Sequence, residues 1–423
     1  MKEDFLHHIW KFKRWETPVL KTTDGEEITI VKSGEHNFDA GPDFFNAQLK
    51  IGDNKWAGNV EIHVKSSDWM AHKHQFDKSY DNVILHVVYQ HNQEILDKNG
   101  VAIPTLELAP IIKQELVNQY QNLVNAKSWI PCENQLKKVD TFIVNNWLDR
   151  LAIERLERKS EEIEATLHQN KNDWEATFYE YLFKYLGLKV NALPFQLLAK
   201  NTPLKIAGKH QNQLSIEALY FGQAGFLEAD LSDEYFLKLK KEYQFLKAKF
   251  QLTPLDNSLW KLLRLRPSNF PTIRIAQLSD LINRTPRLFA AVLSSNSIKE
   301  IEKLFQATAS IYWNTHYLFG KKGKDDKAKN LGKTSINNII INVVVPILFV
   351  YAKQKNNETI NLKALSYLEV LPSENNAIIK KWEQLGVKSN SALQSQSLLE
   401  LKNNYCSQKK CLNCSIGNNL LKQ

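Results

Sequence analysis

Val60-Glu61-Ile62-His63-Val64-Lys65 alternates between apolar and titratable side chains. Residues two apart on a strand share a face. Glu61, His63 and Lys65 therefore project together, while Val60, Ile62 and Val64 line the reverse and require a core behind them. A plain amphipathic strand does not need a charged triple in front of a fully apolar back. On the N-terminal side, Gly52-Asp53-Asn54 joins this strand (56–66) to a preceding one (44–51), a hairpin signal. That neighbour begins at Gly41-Pro42-Asp43, a turn able to present a carboxylate beside the same face. Further out, Asp24-Gly25 separates β-type runs at 19–22 and 27–32, and Phe5, Leu6, Ile9, Trp10 and Phe12 recur at helical spacing before Pro18. On the C-terminal side, 69–80 carries a weak helical pattern. Residues 83–89 form an apolar run typical of a buried strand, and 101–108 follow the turn Lys98-Asn99-Gly100 as another. The order is αββββαββ.

Beyond about residue 111 the texture changes to helical periodicity, at 142–167, 174–186, 235–250 and 298–313, punctuated by Gly187, Pro194, Pro254, Pro267 and Pro271. The expected architecture is α+β: an N-terminal domain with a mixed sheet (1–110), a mostly α-helical body (111–400) and a cysteine-containing tail (401–423). At 423 residues, 43% hydrophobic and 24% charged, the chain is long enough for two or three packed cores. The net charge of +9 favours an anionic partner, and nucleic acid is the one expected. Residues 1–12 lack the apolar segment of a signal peptide. The longest apolar run, 339–352, contains Asn342 and Pro346 and is short for a bilayer span. A cytoplasmic protein without a membrane segment is therefore expected. The run 321–329 reads as an exposed, mobile, lysine-rich loop. Gly332-Lys333-Thr334 lacks the earlier glycine and the preceding strand of a phosphate loop. Arg264, Arg266 and Arg274, with Trp260 and Phe270 nearby, read either as a phosphate-binding and stacking surface or as a helix end with solvated arginines.

Two carboxylates on adjacent strands followed by a cation are what metal-dependent phosphodiester hydrolysis requires. Hard oxygen ligands hold Mg²⁺ or Mn²⁺, which lowers the pKa of an attacking water, and a lysine or histidine orients that water or stabilises charge on phosphorus. Asp43 and Glu61 are the candidate ligands, with Glu35 in the preceding loop as an additional one. Lys65 and His63 are the candidate auxiliary groups. Pro42-Asp43 at the start of one strand and Glu61 on the next, inside an αβββαβ arrangement, resemble the PD-(D/E)XK nuclease superfamily over about the first 110 residues. The resemblance implies a restriction-endonuclease-like core and hydrolysis of DNA or RNA. The superfamily pattern puts lysine two residues after the acid; here His63 stands there, and Lys65 follows two residues later on the same face. The alternatives are a catalytically inactive nuclease-fold protein that binds nucleic acid and a metal-binding scaffold that recruits other proteins. Histidines are concentrated at the front, at His7, His8, His36, His63, His72, His74, His86 and His91. With Asp68 and Asp77 they offer donors for a transition metal, although a mid-strand histidine such as His86 is more often a satisfied core residue.

Cys406, Cys411 and Cys414 form C-x4-C-x2-C in the tail, and Cys132 is the one other cysteine. Closely spaced thiols in a reducing compartment point to metal or cluster binding. Four thiolates complete a Zn²⁺ site or an iron–sulfur cluster. The layout is similar to that of iron–sulfur nucleases of the RecB-like and AddB-like type, in which one distant cysteine joins three near the C-terminus; there the lone cysteine usually precedes the nuclease motifs, whereas Cys132 follows them. Across most of its length the chain also resembles a bacterial family known only as a domain of unknown function. The shared features are Gly41-Pro42-Asp43-Phe44, the stretch from Glu61 to Trp69 and the cysteine tail.

Overall fold

The computed structural model describes residues 1–209, 212–324 and 326–422. Its first helix, α1 (Glu3–Phe12), buries Phe5, Leu6, Ile9 and Trp10. These positions recur every three to four residues, so they form one stripe. Burying a side chain of this size is worth about 1.5–3 kcal/mol. The strands are β1 (Leu20–Lys21), β2 (Glu27–Lys32), β3 (Glu35–His36), β4 (Phe44–Ile51), β5 (Asn54–Lys65), β6 (Val83–Gln90) and β7 (Thr105–Glu107). Their spatial order is β1-β2-β4-β5-β6-β7, with β3 also paired to β4. Pairing is antiparallel from β1 through β5 and parallel from β5 to β7. The expected mixed sheet is present; the two-residue β3 has too little periodicity to be read in advance.

The β4–β5 hairpin turns at Gly52, whose φ of +57° suits a residue without Cβ. At its other end the register slips between Phe44 and Ala47, where Asn46 takes φ +55°. A bulge of this kind bends the strand and redirects the residues beside it. Val60 and Ile62 of β5 and Leu85 and Val87 of β6 are buried. The β5-to-β6 crossover holds a single turn of helix, α2 (Asp68–Ala71), and two 3₁₀ turns at His74–Phe76 and Lys78–Tyr80, in place of one continuous helix over 69–80. After β7, α3 (Gln114–Asn125) sets Tyr120 against Phe5 of α1 with ring centroids 4.2 Å apart.

Two compact units emerge, Met1–Leu148 with Glu400–Gln423, and Asp149–Leu399. The first thus includes α3 and the cysteine tail as well as the sheet. The second is helical. Trp174–Leu186 starts with Asp173 accepting from the Ala176 amide, and Glu234–Phe250 with Asp233 accepting from Phe236, caps worth about 1 kcal/mol each. Gly222 lies against the Tyr243 ring, where a Cβ would come within 2.1 Å.

Four expectations for this unit are corrected. Pro194 does not end a helix, because Leu188–Asn201 continues through it with the break taken up at Asn191 (φ −118°, ψ 18°). The Asn191 side chain donates to the Lys261 carbonyl and accepts from the Lys261 amide, which satisfies backbone groups at the kink. The helix expected over 298–313 stops at Leu304; the Leu331 amide donates to the Ala307 carbonyl at 2.8 Å and Thr308 bridges to Asn330, so the chain is drawn into an extended pairing. The run 321–329 contains β9 (Lys321–Lys322), paired to β8 (His316–Leu318). Lys329 is buried, with its ammonium over the Tyr317 ring at 4.1 Å; Asp325 lies outside the described residues. Arg274 and Trp260 are interior, not part of a surface patch. The Arg274 guanidinium donates to Gln277, Asn269 and Ser335, and the Trp260 indole to the Ala224 carbonyl.

The apolar run is longer as a helix than as a stretch of sequence. Lys333–Lys355 is 23 residues long and by length and composition is able to cross a bilayer; 72% of its most apolar window is buried inside the protein. A π-helical segment, Ile340–Val344, precedes Pro346, and this widening accommodates a residue that cannot donate an amide.

Candidate metal centre

Pairing between β4 and β5 ends at Phe44 opposite Val60, which leaves the next amides of β5 without a strand partner. Asp43 takes that role: the Ile62 amide donates to Asp43 Oδ2 at 2.9 Å. In return the Asp43 amide donates to Glu61 Oε2 at 3.1 Å. The turn behind Asp43 is fixed by Asn37, whose side-chain amide donates to the carbonyls of Asp39, Ala40 and Pro42 and whose backbone amide donates to the Asp43 carbonyl. Gly41, at φ +104°, makes this turn possible. The two carboxylates foreseen from the sequence are thus clasped across adjacent strands.

Glu61 is buried. Burial first, and then the Asp43 carboxylate, push its carboxyl up to about 9. His7 of α1 approaches from the helix side, its Nε2 3.2 Å from Asp43 Oδ2. Burial opposes the charged imidazole there, but the hydrogen bond and charge of Asp43 outweigh it and raise the pKa. His36 stacks on Phe44 at 4.7 Å and stands edge-on to His7 at 5.2 Å.

The front face of β5 continues into a group of imidazoles. His63 Nε2 lies 3.5 Å from Glu61 Oε1, and His74 Nε2 lies 3.3 Å from the same oxygen. His63 Nε2 is 3.1 Å from His72 Nδ1, and His63 Nδ1 is 2.9 Å from His86 Nε2. Among the described residues, His63, His72 and His74 are the one group of three whose donor atoms all fall within 4.8 Å. Burial, followed by the neighbouring imidazoles, drives His63 down to about 2 and His86 to about 3, so both rings are neutral in ordinary buffers.

The remaining sequence candidates stand elsewhere. Lys65 is exposed at the end of β5, its backbone amide donating to Asp68 Oδ2. Glu35 is exposed and pairs with Lys32 at 2.8 Å. His7 had no signal marking it in the sequence beyond its place on an amphipathic helix; periodicity does not say which strand that helix covers.

The four cysteines all belong to the first unit. Cys132, Cys411 and Cys414 are buried and Cys406 is partly so. Contacts that join the tail to the chain on either side of Cys132 include Lys402 over the Trp129 ring at 5.2 Å, Tyr405 edge-on to Trp147 at 5.3 Å, and Lys409 Nζ donating to the Val124 carbonyl. Burial raises the Cys132 and Cys411 thiols to about 12, and Cys406 is raised as well. Each of the three also feels the charge of its neighbours, and every pair among the four sulfurs is represented. Cys414 receives the Ile416 and Gly417 amides and the Trp147 indole, which partly offset its burial.

No curated protein and no solved structure matches the chain significantly. Residues 3–377 match the family described as "Protein of unknown function (DUF2851)", and the chain belongs to that family.

Proposed function

We propose that the protein is a metal-dependent phosphodiester hydrolase of the PD-(D/E)XK type acting on nucleic acid, with its site at Asp43 and Glu61. The reciprocal clasp of these two carboxylates carries the reading. Strand order supports it as well: a helix, then three antiparallel strands (β2, β4, β5), then a crossover to the parallel β6, with the acids at the start of the second of these strands and in the third. A restriction-endonuclease-like core has this arrangement. The +9 net charge suits a polyanionic substrate.

The residues fit a divalent cation. Burial first, and then repulsion from the second carboxylate, favour the neutral form of Glu61, and a cation between the two would offset both. Bound there, Mg²⁺ or Mn²⁺ would supply Lewis acidity toward phosphate and a lowered pKa for water. Asp43 and Glu61 hold it, and the Asn37-braced turn keeps Asp43 aimed. His63 stands where the superfamily has lysine, and burial holds its imidazole neutral, so it brings no positive charge. Lys65 is the cation remaining in the Glu61–Lys65 run. The four thiols, gathered in the first unit, would hold an iron–sulfur cluster or Zn²⁺.

The test is cleavage of single- and double-stranded DNA and RNA by anaerobically purified protein with Mg²⁺ or Mn²⁺. Asp43→Ala and Glu61→Gln are expected to reduce cleavage by roughly 100-fold or more, with circular dichroism unchanged. Absence of cleavage of every form, or cleavage indifferent to Asp43→Ala, overturns the proposal. Salt-dependent binding without cleavage would identify a nucleic-acid-binding protein on the same fold.

A further inference from the structure

The imidazoles beside Glu61 are held by a segment built to hold them. Asp68 caps the end of β5 through the Lys65 amide, and Trp69 is the buried residue of α2. His72 closes α2, and Lys73 takes φ +63°, a left-handed conformation that favours glycine. That reversal brings His74 back toward the sheet, where its ring stacks on Tyr80 at 3.8 Å. His72 and His74, one residue to either side of a strained position, thus both face His63.

Three of their separations match the edges of a coordination shell. Four ligands at about 2.0–2.1 Å from a tetrahedral metal lie about 3.3 Å from one another. The separations here are 3.1 Å for His63–His72, 3.5 Å for His63–Glu61 and 3.3 Å for His74–Glu61. His74 Nε2 is buried and makes no hydrogen bond despite its closeness to the carboxylate. A nitrogen lone pair near an oxygen, outside hydrogen-bond geometry, marks an edge of a polyhedron better than a polar contact. His86 Nε2 at 2.9 Å can accept the His63 Nδ1 proton, which leaves Nε2 free as a donor to metal. An imidazole braced by such an outer partner is the usual arrangement for a ligand.

We propose that His63, His72 and His74, whose donor nitrogens lie within 4.8 Å of one another, form a transition-metal centre with Glu61 at its edge, which takes Zn²⁺. Imidazole nitrogen with carboxylate suits a borderline-soft divalent ion and not Mg²⁺. Glu61 serves both sites, with Oε1 toward the histidines and Oε2 toward Asp43. The centre makes His63 a ligand, which accounts for histidine at the superfamily's lysine position. It shares Glu61 with the hydrolytic site proposed above but does not depend on hydrolysis.

The experiment uses tag-free full-length protein, stripped with chelator and dialysed against Zn²⁺, with bound metal counted by elemental analysis. His72→Ala/His74→Ala removes two ligands on a loop that is partly exposed, and it is expected to bind one equivalent less Zn²⁺ while keeping the thiol-bound metal. On Co²⁺ titration, the difference spectrum of wild type minus double variant is expected to show a tetrahedral visible band without thiolate charge transfer, the thiol contribution being common to both. Unchanged Zn²⁺ stoichiometry in a folded double variant, or the lack of that band in the difference spectrum, overturns the proposal. Asp43→Ala is expected to abolish cleavage yet retain the Zn²⁺ equivalent. If wild type cuts no nucleic acid, the hydrolase reading fails and the metal count still decides this one.

Discussion

Glu61 concentrates the chemistry of the first unit because it is the one buried carboxylate that faces both Asp43 and the histidines. In metal-free protein its raised pKa keeps it neutral, so Glu61→Gln is nearly isosteric and uncharged like the native side chain. We expect the metal-free variant to melt within a few degrees of metal-free wild type and to lose the metal-induced rise in Tm, read by differential scanning fluorimetry with and without Zn²⁺. A second buried carboxyl, Glu217, tests the other unit. It accepts hydrogen bonds from Tyr235, Ser310 and Gln213, yet burial still pushes it up to about 7 from 4.5. A raised folded-state pKa favours the fold fully below pH 4.5, and that advantage is lost as pH climbs toward 7. The difference is on the order of 3 kcal/mol. Glu217→Gln is therefore expected to flatten the decline of stability between pH 4.5 and 7, measured by urea midpoints across that window.

At the scale of elements, close approaches leave little tolerance. Gly222 on one helix touches the Tyr243 ring on the next, and Gly222→Ala would force the pair apart. A loss of about 1–3 kcal/mol is expected, visible as a lower urea midpoint with an unchanged m-value. This approach was not legible in the sequence, because periodicity does not say which ring a glycine on a helix will face. The strands were legible wherever alternation was strong. Residues 44–51 fall at the expected positions because a single buried face imposes a period of two, and 83–90 do so because a strand buried on both faces reads as a continuous apolar run. The carboxylate pair was legible for the same reason: parity fixes Glu61 to one face, and a turn before β4 puts Asp43 at its edge. What sequence left open is set by tertiary contact. The three-histidine grouping depends on the left-handed Lys73, and His7 depends on where α1 lies on the sheet. Pro194 looked like a helix stop, yet the kink at Asn191 absorbs it.

At the scale of the molecule, Met1–Leu148 and the tail share one unit although the whole of Asp149–Leu399 separates them in the chain. If the four thiols hold a cluster, its binding energy is folding energy for that unit. Cys414→Ser, or removal of the cluster with chelator, is expected to raise hydrogen exchange in α3 and around Cys132 as well as in the tail. Exchange confined to residues 401–422 would mean that the thiols do not tie the unit together. The helical unit, Asp149–Leu399, is expected to keep its protection in either case. The central claim is that the front face of β5 is a metal centre. Anomalous diffraction at the zinc edge, from crystals of Zn²⁺-loaded protein, tests it most directly. The account predicts a peak bounded by Glu61 Oε1, His63 Nε2, His72 Nδ1 and His74 Nε2; a map with no peak at those atoms would contradict it.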